Sequence, residues 1–412
     1  MNHLSSFSFK SPLVPLYLLI LIDHMGFGIF YPILVPIFMD NNGILGLEAT
    51  GSLRSFWYSV TLSVFPMAVF FGATLLGDLS DRIGRKKVLA LCLGAAALAY
   101  ALSGLAIDLR SLSLLLFSRI VAGIAAGSMP IAQAAVLDMS SEQEKIANLG
   151  LVILAASFGF LLGPLVGGLF ANPKIVSWFN YSTPLYFSSI LAVANLLTLK
   201  LLKETFVPQR QAPFKFSQSL ALMITPFCIK NLRFLAVIYL FMQLGWSFYF
   251  QFISIFLLKK HHFTAQDISL FMSLMGTGFA IGSCFVLRMV SHYFQEKTIA
   301  LGSLTLLTLC VLATVIDIHP TIAWISTFFL GITMAIAYSI IIKLFSNLVS
   351  EERQGWIMGA CEAISAIAWT ITPLAASYLE NVALSIPLSL ATLLLLISAF
   401  MIKYWKAVPL AL

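Results

Sequence analysis

Three ionisable side chains lie deep inside long apolar stretches of this sequence, where they could carry a proton. Asp23 follows the run VPLYLLILI, Arg119 lies in LLLFSRIVAG, and Glu362 lies in GACEAISAIA. A charged side chain near the middle of a membrane costs at least about 2.5 kcal/mol, so each is a functional candidate. Burial disfavours the charged form of a carboxylate and a nearby arginine favours it. These positions therefore predict reversible protonation, with Asp23 as the main candidate.

The elements that position these residues must be membrane-spanning helices. Of 412 residues, 60% are hydrophobic and 10% are charged, whereas about 25% of the residues in a soluble domain are charged. Twelve apolar runs are long enough to cross a bilayer, which takes about 20 residues. Backbone groups in lipid must be bonded within their own segment, and these runs are too long for barrel strands. We expect an all-α polytopic membrane protein with twelve transmembrane helices.

The chain divides into two halves of six spans each. At an offset of 209 residues, SEQEKIANLG of the first half aligns with SEERQGWIMG of the second, as in a repeat. An even number of spans in each half makes the repeat parallel. We expect an N-terminal six-helix bundle over 1–202, a cytoplasmic linker over 203–231 and a C-terminal six-helix bundle over 232–412.

The basic residues predict the orientation of the chain. With the N-terminus in the cytoplasm, 18 of the 24 Lys and Arg residues fall on the cytoplasmic side, five fall outside and one lies within a span. This asymmetry follows the positive-inside rule, so the net charge of +7 does not call for a nucleic-acid partner. The first apolar run is too long for a signal peptide and is expected to be retained. Five scattered cysteines indicate neither a disulfide framework nor a metal site.

The segment GDLSDRIGRKKVL, Gly77–Leu89, concentrates charge between spans two and three. Lys86 and Lys87 would suit any short cytoplasmic turn, but the positive-inside rule does not account for Asp78, Asp81 or the glycines. Glycine permits tight turning, and an aspartate can cap a helix start and pair with an arginine. We predict a cytoplasmic turn whose charges act as a gate, and we call Gly77–Leu89 the charged segment.

The charged segment resembles the G-x-L-x-D-R-x-G-R-[KR] motif of the major facilitator superfamily, which that family carries between spans two and three. The matching residues are Gly77, Leu79, Asp81, Arg82, Gly84, Arg85 and Lys86. The resemblance implies the major facilitator fold, in which two pseudo-symmetric six-helix bundles rock by alternating access. It also implies that Asp81 and Arg85, with Asp138 as a partner at the end of span four, hold the bundles together on the cytoplasmic side in the outward-open state. The equivalent loop of the second half, LRMVSHYFQEK, keeps little of the motif.

Span five carries a stripe of small residues on one helix face. The stripe is formed by Gly159, Gly163 and Gly167. Small faces let helices approach closely, which is also what simple packing glycines do, and Pro164 can bend the helix. The spacing resembles the antiporter signature of the drug/proton antiporters within the superfamily. The resemblance implies a gating role at the interface with the second bundle, facing Gly278 and Gly282 of span eight, and favours export over uptake.

Spans one and four resemble two further signatures of that family. DHMGFGIFYPILVP is similar to span one of tetracycline-type antiporters, and RIVAGIAAGSMPIAQ is similar to the membrane arginine motif. At about 1.5 Å per residue, Asp23 and Arg119 both lie near mid-membrane, so we expect them to pair. The pair could be purely structural, or Asp23 could exchange a proton as substrate occupancy changes. Glu362, about two turns into span eleven, is a further candidate for proton coupling.

Spans one, four, seven and ten line the central cavity in the superfamily. Residues of those spans that share one helix face are the candidates for lining the cavity. They are Phe27, Phe30, Gln133, Gln243, Trp246, Phe250 and Tyr338. Aromatic residues in membrane helices also face lipid or pack against other helices. A largely aromatic, sparsely charged cavity suits a neutral or cationic amphipathic solute better than a sugar or a multiply charged anion.

Together these features predict a proton-coupled secondary transporter that exports a small amphipathic drug or metabolite. A proton-coupled uptake symporter for a nutrient or siderophore-like solute is the alternative, and a non-transporting sensor is a third reading. The sequence lacks an HExxH motif, a nucleophile elbow and a P-loop, so we expect no enzyme, no cofactor and no metal. The expected partners are the substrate, protons and the lipid bilayer. We expect a monomer in a bacterial inner membrane, with both termini cytoplasmic.

Overall fold

A computed structural model describes residues 12–141, 144–202, 204, 224–316, 319–350 and 353–406, and every regular element within these ranges is helical. Within these ranges twelve helices are long and apolar enough to cross a membrane, and we number them as spans one to twelve. They are Val14–Met39, Gly51–Ile83, Arg85–Asp108, Leu112–Asp138, Ala147–Phe170, Thr183–Leu201, Leu232–His261, Ala265–Tyr293, Glu296–Ile316, Pro320–Ser346, Gln354–Leu379 and Ile386–Tyr404. The predicted all-α class with twelve spans is confirmed, and most of the predicted linker lies outside the described residues.

The spans pack as two six-helix bundles with the same internal pattern. In the first bundle span one packs on five and six, span four on two and three, and span three on six. In the second bundle span seven packs on eleven and twelve, span ten on eight and nine, and span nine on twelve. Adding six to each span number of the first bundle reproduces the second, which is the expected pseudo-symmetry. The bundles meet mainly where span two packs on eleven and span five on eight.

The two sides of the bundle differ in how the halves meet. We call the side that carries Gly84 the inner face, after the expected topology, and the opposite side the outer face. Near the outer face, Ser52 Oγ donates to Asn381 Oδ1 at 2.8 Å, and Tyr58 Oη donates to the carbonyl of Gln251 at 3.3 Å. Toward the inner face, Asp81 is exposed, and Glu362 is exposed although it lies eight residues inside span eleven. The halves are therefore closed at the outer face, and a cleft between them opens toward the inner face.

The charged segment is formed by the ends of two helices. Span two continues to Ile83 and span three begins at Arg85, so Gly84 alone makes the turn, with a φ of 103°. The prediction of a turn across the whole segment was wrong. Every internal backbone group of a helix is already bonded, so a helix need not end where the lipid ends, and span two extends into water as a polar helix.

Candidate functional site

Asp23 lies about 14 Å from the inner start of span one, at about 1.5 Å per residue, and its side chain is partly exposed. Its Oδ2 accepts a hydrogen bond from Ser128 Oγ of span four at 3.0 Å. Within the described ranges no basic side chain forms an ion pair with it. The adjacent His24 faces elsewhere, because its Nδ1 lies 2.8 Å from the carbonyl of Ile20 and its ring contacts Phe160. Asp23 is thus a mid-membrane carboxylate without a fixed counter-ion among the residues that the structure describes.

Arg119 is held by aromatic rings. Its Cζ lies 4.1 Å from the ring centre of Phe30 and 4.3 Å from that of Phe65, and the residue is 2% exposed. Its Nε and Nη1 are buried and have no hydrogen-bond partner among the described residues. The expected pairing of Arg119 with Asp23 is therefore wrong. Phe30, which faces Arg119, lies seven residues beyond Asp23, about 10 Å further along span one, and the rings stabilise the cation instead.

Span four is broken at Gly127–Ser128 into an outer segment, Leu112–Ala126, and an inner segment, Met129–Asp138. Pro130 has no amide hydrogen, so it cannot form the helical bond back to the outer segment. A Cβ at Gly127 would overlap the backbone of span two, so glycine at the break lets these two spans meet closely. The break places the buried hydroxyl of Ser128 against Asp23. Sequence reasoning missed Ser128, although the Gly-Ser-x-Pro spacing could have indicated the break.

An aromatic cluster joins the two halves one turn beyond Asp23, toward the outer face. Phe27 stacks on Phe250 of span seven, with ring centres 6.0 Å apart and planes at 12°, and contacts Trp369 of span eleven at 5.5 Å. Tyr31 meets Phe250 edge-on at 4.8 Å, and Trp246 lies 5.4 Å from it. These rings close the cleft toward the outer face. Trp369 was not among the predicted residues because it lies on span eleven.

The predicted cavity residues fall into two groups. The partly exposed ones are Phe27, Gln133 and Tyr338, and the buried ones are Phe30, Gln243, Trp246 and Phe250. In this conformation the side chains of the second group are packed against neighbouring residues and are not open to the cleft.

A second polar cluster lies in the C-terminal half. Glu362 is exposed although it lies eight residues, about 12 Å, into span eleven, and its Oε1 accepts a hydrogen bond from Tyr338 Oη at 3.3 Å. Nearby, Gln243 Nε2 donates to Tyr239 Oη at 3.1 Å and to Ser365 Oγ. The exposure of so deep a carboxylate indicates that the cleft admits water to this level.

Two arginines of the charged segment form ion pairs with aspartates of the first half. Arg85 forms an ion pair with Asp138, at the end of span four. Arg82 pairs with Asp78 one turn earlier, at 2.9 Å. Asp81 is exposed and makes no ion pair or hydrogen bond to the part of the chain that the structure describes. In this open conformation Asp81 therefore has no ion pair or hydrogen bond with the described residues of the second half.

Glu204 caps the start of span three, which sequence reasoning missed. Its Oε1 accepts from the backbone N–H of Arg85 at 2.9 Å, and its Oε2 accepts from that of Lys86 at 3.2 Å. A carboxylate at a helix N-terminus satisfies free amides and the positive end of the helix dipole. The positive φ of Gly84 requires glycine there, and an added Cβ would lie 2.6 Å from Glu204 Oε2, so it would also displace the capping carboxylate.

The glycine stripe of span five packs against span one of its own bundle. Cβ atoms at Gly159, Gly163 and Gly167 would lie 2.7, 2.5 and 2.7 Å from carbonyl oxygens of span one. The contact with the second bundle uses another face, where the carbonyl of Pro164 accepts from Ser269 Oγ at 2.6 Å. Gly278 and Gly282 pack on span ten, so the expectation that they face the stripe was wrong. The period of a helix shows which residues share a face but does not show which neighbour covers it.

Two pseudo-symmetric bundles around a cleft that opens on one face define a polytopic membrane transporter. The model of the Major Facilitator Superfamily matches residues 16–373 and 235–410. The chain belongs to this family, and the predicted family is confirmed.

The relatives of this chain include drug-resistance proteins. It is 25% identical over 380 residues to the quinolone resistance protein NorA of Staphylococcus aureus (strain MRSA252). The aligned region covers 91% of this chain and 92% of the relative. It is also 25% identical over 394 residues to multidrug resistance protein 2 of Bacillus subtilis (strain 168), covering 94% and 93%.

Solved structures of other transporters share the fold. The human organic anion transporter MFSD10 (TETRAN) superposes with a TM-score of 0.73 at 20% identity, covering 96% of this chain and all of the other. A D-xylose-proton symporter gives 0.72 at 16% identity, covering 97% and 98%. At these identities the likeness establishes the fold alone.

Proposed function

We propose that this transporter exports small amphipathic organic molecules in exchange for protons. The observation that carries the proposal is Asp23, a mid-membrane carboxylate that is partly exposed, accepts a hydrogen bond from Ser128 and has no counter-ion in the described residues. A carboxylate in such a place can alternate between charged and neutral forms. The names of the relatives, a quinolone resistance protein and a multidrug resistance protein, support drug-like substrates.

The cleft supports an aromatic or amphipathic substrate. Phe27 and Tyr338 are partly exposed, and the packed rings of Phe250 and Trp369 lie behind Phe27. Aromatic faces accept flat organic groups and also attract cations. Glu362 offers a second carboxylate across the cleft, where it would hold a proton or a cationic group of the substrate.

The proposed transport cycle starts from a protein that is open at the inner face and closed at the outer face. The conformation described here would receive substrate at the inner face, which we assign to the cytoplasm of a bacterial cell, with the protein as a monomer in the inner membrane. Release requires the outer contact between Ser52 and Asn381 to break, while Asp81 and Arg85 close the inner face against the second bundle. A proton drives this change only by binding one conformation more tightly than the other. Asp23 is the proposed place for that difference.

Transport by the purified protein in liposomes of known orientation tests the proposal. A fluorescent amphipathic cation is followed under an imposed pH gradient, for the parent protein and for Asp23→Asn. We expect substrate to move against the proton flux, and we expect Asp23→Asn to abolish this movement but retain substrate exchange without a gradient. Glu48→Gln, an exposed acid outside the spans, is the matched control and should behave like the parent.

Two results would contradict the proposal. Substrate and proton moving in the same direction would make the protein an uptake symporter. Full gradient-driven transport by Asp23→Asn would move the proton site to another residue.

A further inference from the structure

The inner segment of span four, Met129–Asp138, contacts both charged sites of the first half. At its start, Ser128 Oγ donates to Asp23 Oδ2 at 3.0 Å. At its end, Asp138 forms an ion pair with Arg85 of the charged segment. The segment has ten residues and spans about 15 Å. One short helix therefore connects the mid-membrane carboxylate with the charges of the inner face.

The inner segment is a separate helix from the outer segment of span four. At the break, Gly127 N–H bonds to the carbonyl of Ile124 and Ser128 N–H to that of Ala125, both at 3.1 Å, which are tight three-residue turns. The joint itself is fixed against span two, because a Cβ at Gly72 would lie 2.5 Å from the carbonyl of Ile124. A helix interrupted in this way can tilt about its joint without breaking further backbone bonds.

The protonation state of Asp23 changes how strongly Asp23 attracts the start of the inner segment. Charged Asp23 accepts a strong hydrogen bond from Ser128 and faces the positive end of the segment's dipole. Protonated Asp23 loses the attraction to the dipole and is a weaker acceptor. Protonation therefore loosens the inner segment from span one.

Other titratable groups around Asp23 do not replace this contact. His24 is bonded to the carbonyl of Ile20 and turns away. Span three places the Cys92 thiol and the Tyr100 hydroxyl near Asp23, and the Tyr100 hydroxyl packs against span one at Gly26. Arg119 lies further toward the outer face, between the rings of Phe30 and Phe65. Spans five, seven and eight present no charged side chain to Asp23 in the described residues.

We propose that Ser128 is a positioning residue that transmits the protonation state of Asp23, through the inner segment of span four, to Arg85 and the charged segment. The inference rests on the proposed proton coupling at Asp23 and adds the mechanical route by which that proton reaches the gate. Asp138 and Arg85 form the far end of the same route.

Distances across the inner face, measured by paired spin labels, test the route. Labels at Lys200 and Lys403, exposed at the inner ends of spans six and twelve, report the opening of the halves. They are introduced in full-length protein whose five native cysteines have been replaced and which still transports. The fraction of open protein is then measured from pH 5 to pH 9.

The variants at Asp23 and Ser128 have distinct expected curves. The parent should show a pH-dependent open fraction, and Asp23→Asn should make it flat. Ser128→Ala should move the midpoint up by roughly half to one pH unit, a three- to tenfold change, because the charged form of Asp23 loses a donor. Ser128→Thr, which keeps the hydroxyl, should restore the parent curve. Ser118→Ala is the matched control, since Ser118 is also buried in span four but bonds to Ser103.

A variant at the far end of the segment tests the route without touching the Asp23 contact. Asp138→Asn should leave the midpoint in place and reduce the amplitude of the opening, because the segment no longer moves Arg85. One outcome is that the curve of open fraction against pH is flat for Asp23→Asn and yet is the same for Ser128→Ala as for Ser118→Ala. In that case Asp23 remains the proton site, but the route through Ser128 is wrong. If Asp23→Asn keeps the parent midpoint, the proposed proton coupling at Asp23 fails and this inference fails with it.

Discussion

Replacement of Gly163 by alanine measures how closely span five packs on span one. The added Cβ would lie 2.5 Å from the carbonyl oxygen of Met25 and 2.9 Å from the Cα of Gly28. Non-bonded carbon atoms prefer separations of about 3.5–4.0 Å, so span one must retreat by roughly 0.5–1 Å. Overpacking of this kind costs about 1–3 kcal/mol. Because Asp23 lies on the same helix, the shift should also slow gradient-driven transport.

Two glycines provide matched controls for Gly163→Ala. A Cβ at Gly94 of span three or Gly302 of span nine would meet no atom within 4 Å. Alanine is favoured over glycine in a helix by up to about 1 kcal/mol, so these controls should be neutral or stabilising. The assay is thermal unfolding of purified protein in detergent, followed by transport in liposomes. A melting temperature for Gly163→Ala equal to that of the controls, with parent transport rates, would refute the packing assigned to this stripe.

Three further outcomes follow from single contacts. Glu204→Ala removes the cap of span three and should lower the unfolding free energy by about 1 kcal/mol, seen as a lower melting temperature; an unchanged value would show that the cap contributes nothing. Ser52→Ala removes the bond to Asn381 and should weaken outer closure by about 0.5–1.5 kcal/mol, seen as longer distances between spin labels at the outer face; identical distance distributions would contradict this. Trp369→Ala should weaken binding of a fluorescent aromatic cation by about 3–10-fold in a titration, and parent affinity would exclude the ring from the site.

The ion pair between Arg85 and Asp138 shows how much of the three-dimensional structure a sequence motif can predict. The positions of Arg85 and Asp138 follow from the resemblance, and the structure brings the two side chains together. The cap that Glu204 forms on span three also involves Arg85, but no local sequence pattern indicates it. Glu204 lies 119 residues from Arg85 in the chain, so only the packing of span three against span six brings the two together.

The all-α class, the twelve spans and the family can be predicted from the sequence alone, because these depend on composition, segment length and local motifs. The sequence also marked Asp23, Arg119 and Glu362 as unusual, because a charge in an apolar run is costly wherever it faces. The three-dimensional packing was needed to show that Arg119 lies between two rings, that Asp23 meets Ser128, and that the glycine stripe packs on span one. The spans are apolar nearly all round, so their sequences do not specify which face meets which neighbour or at what height. Close packing of small residues and prolines between helices sets that rotation and register.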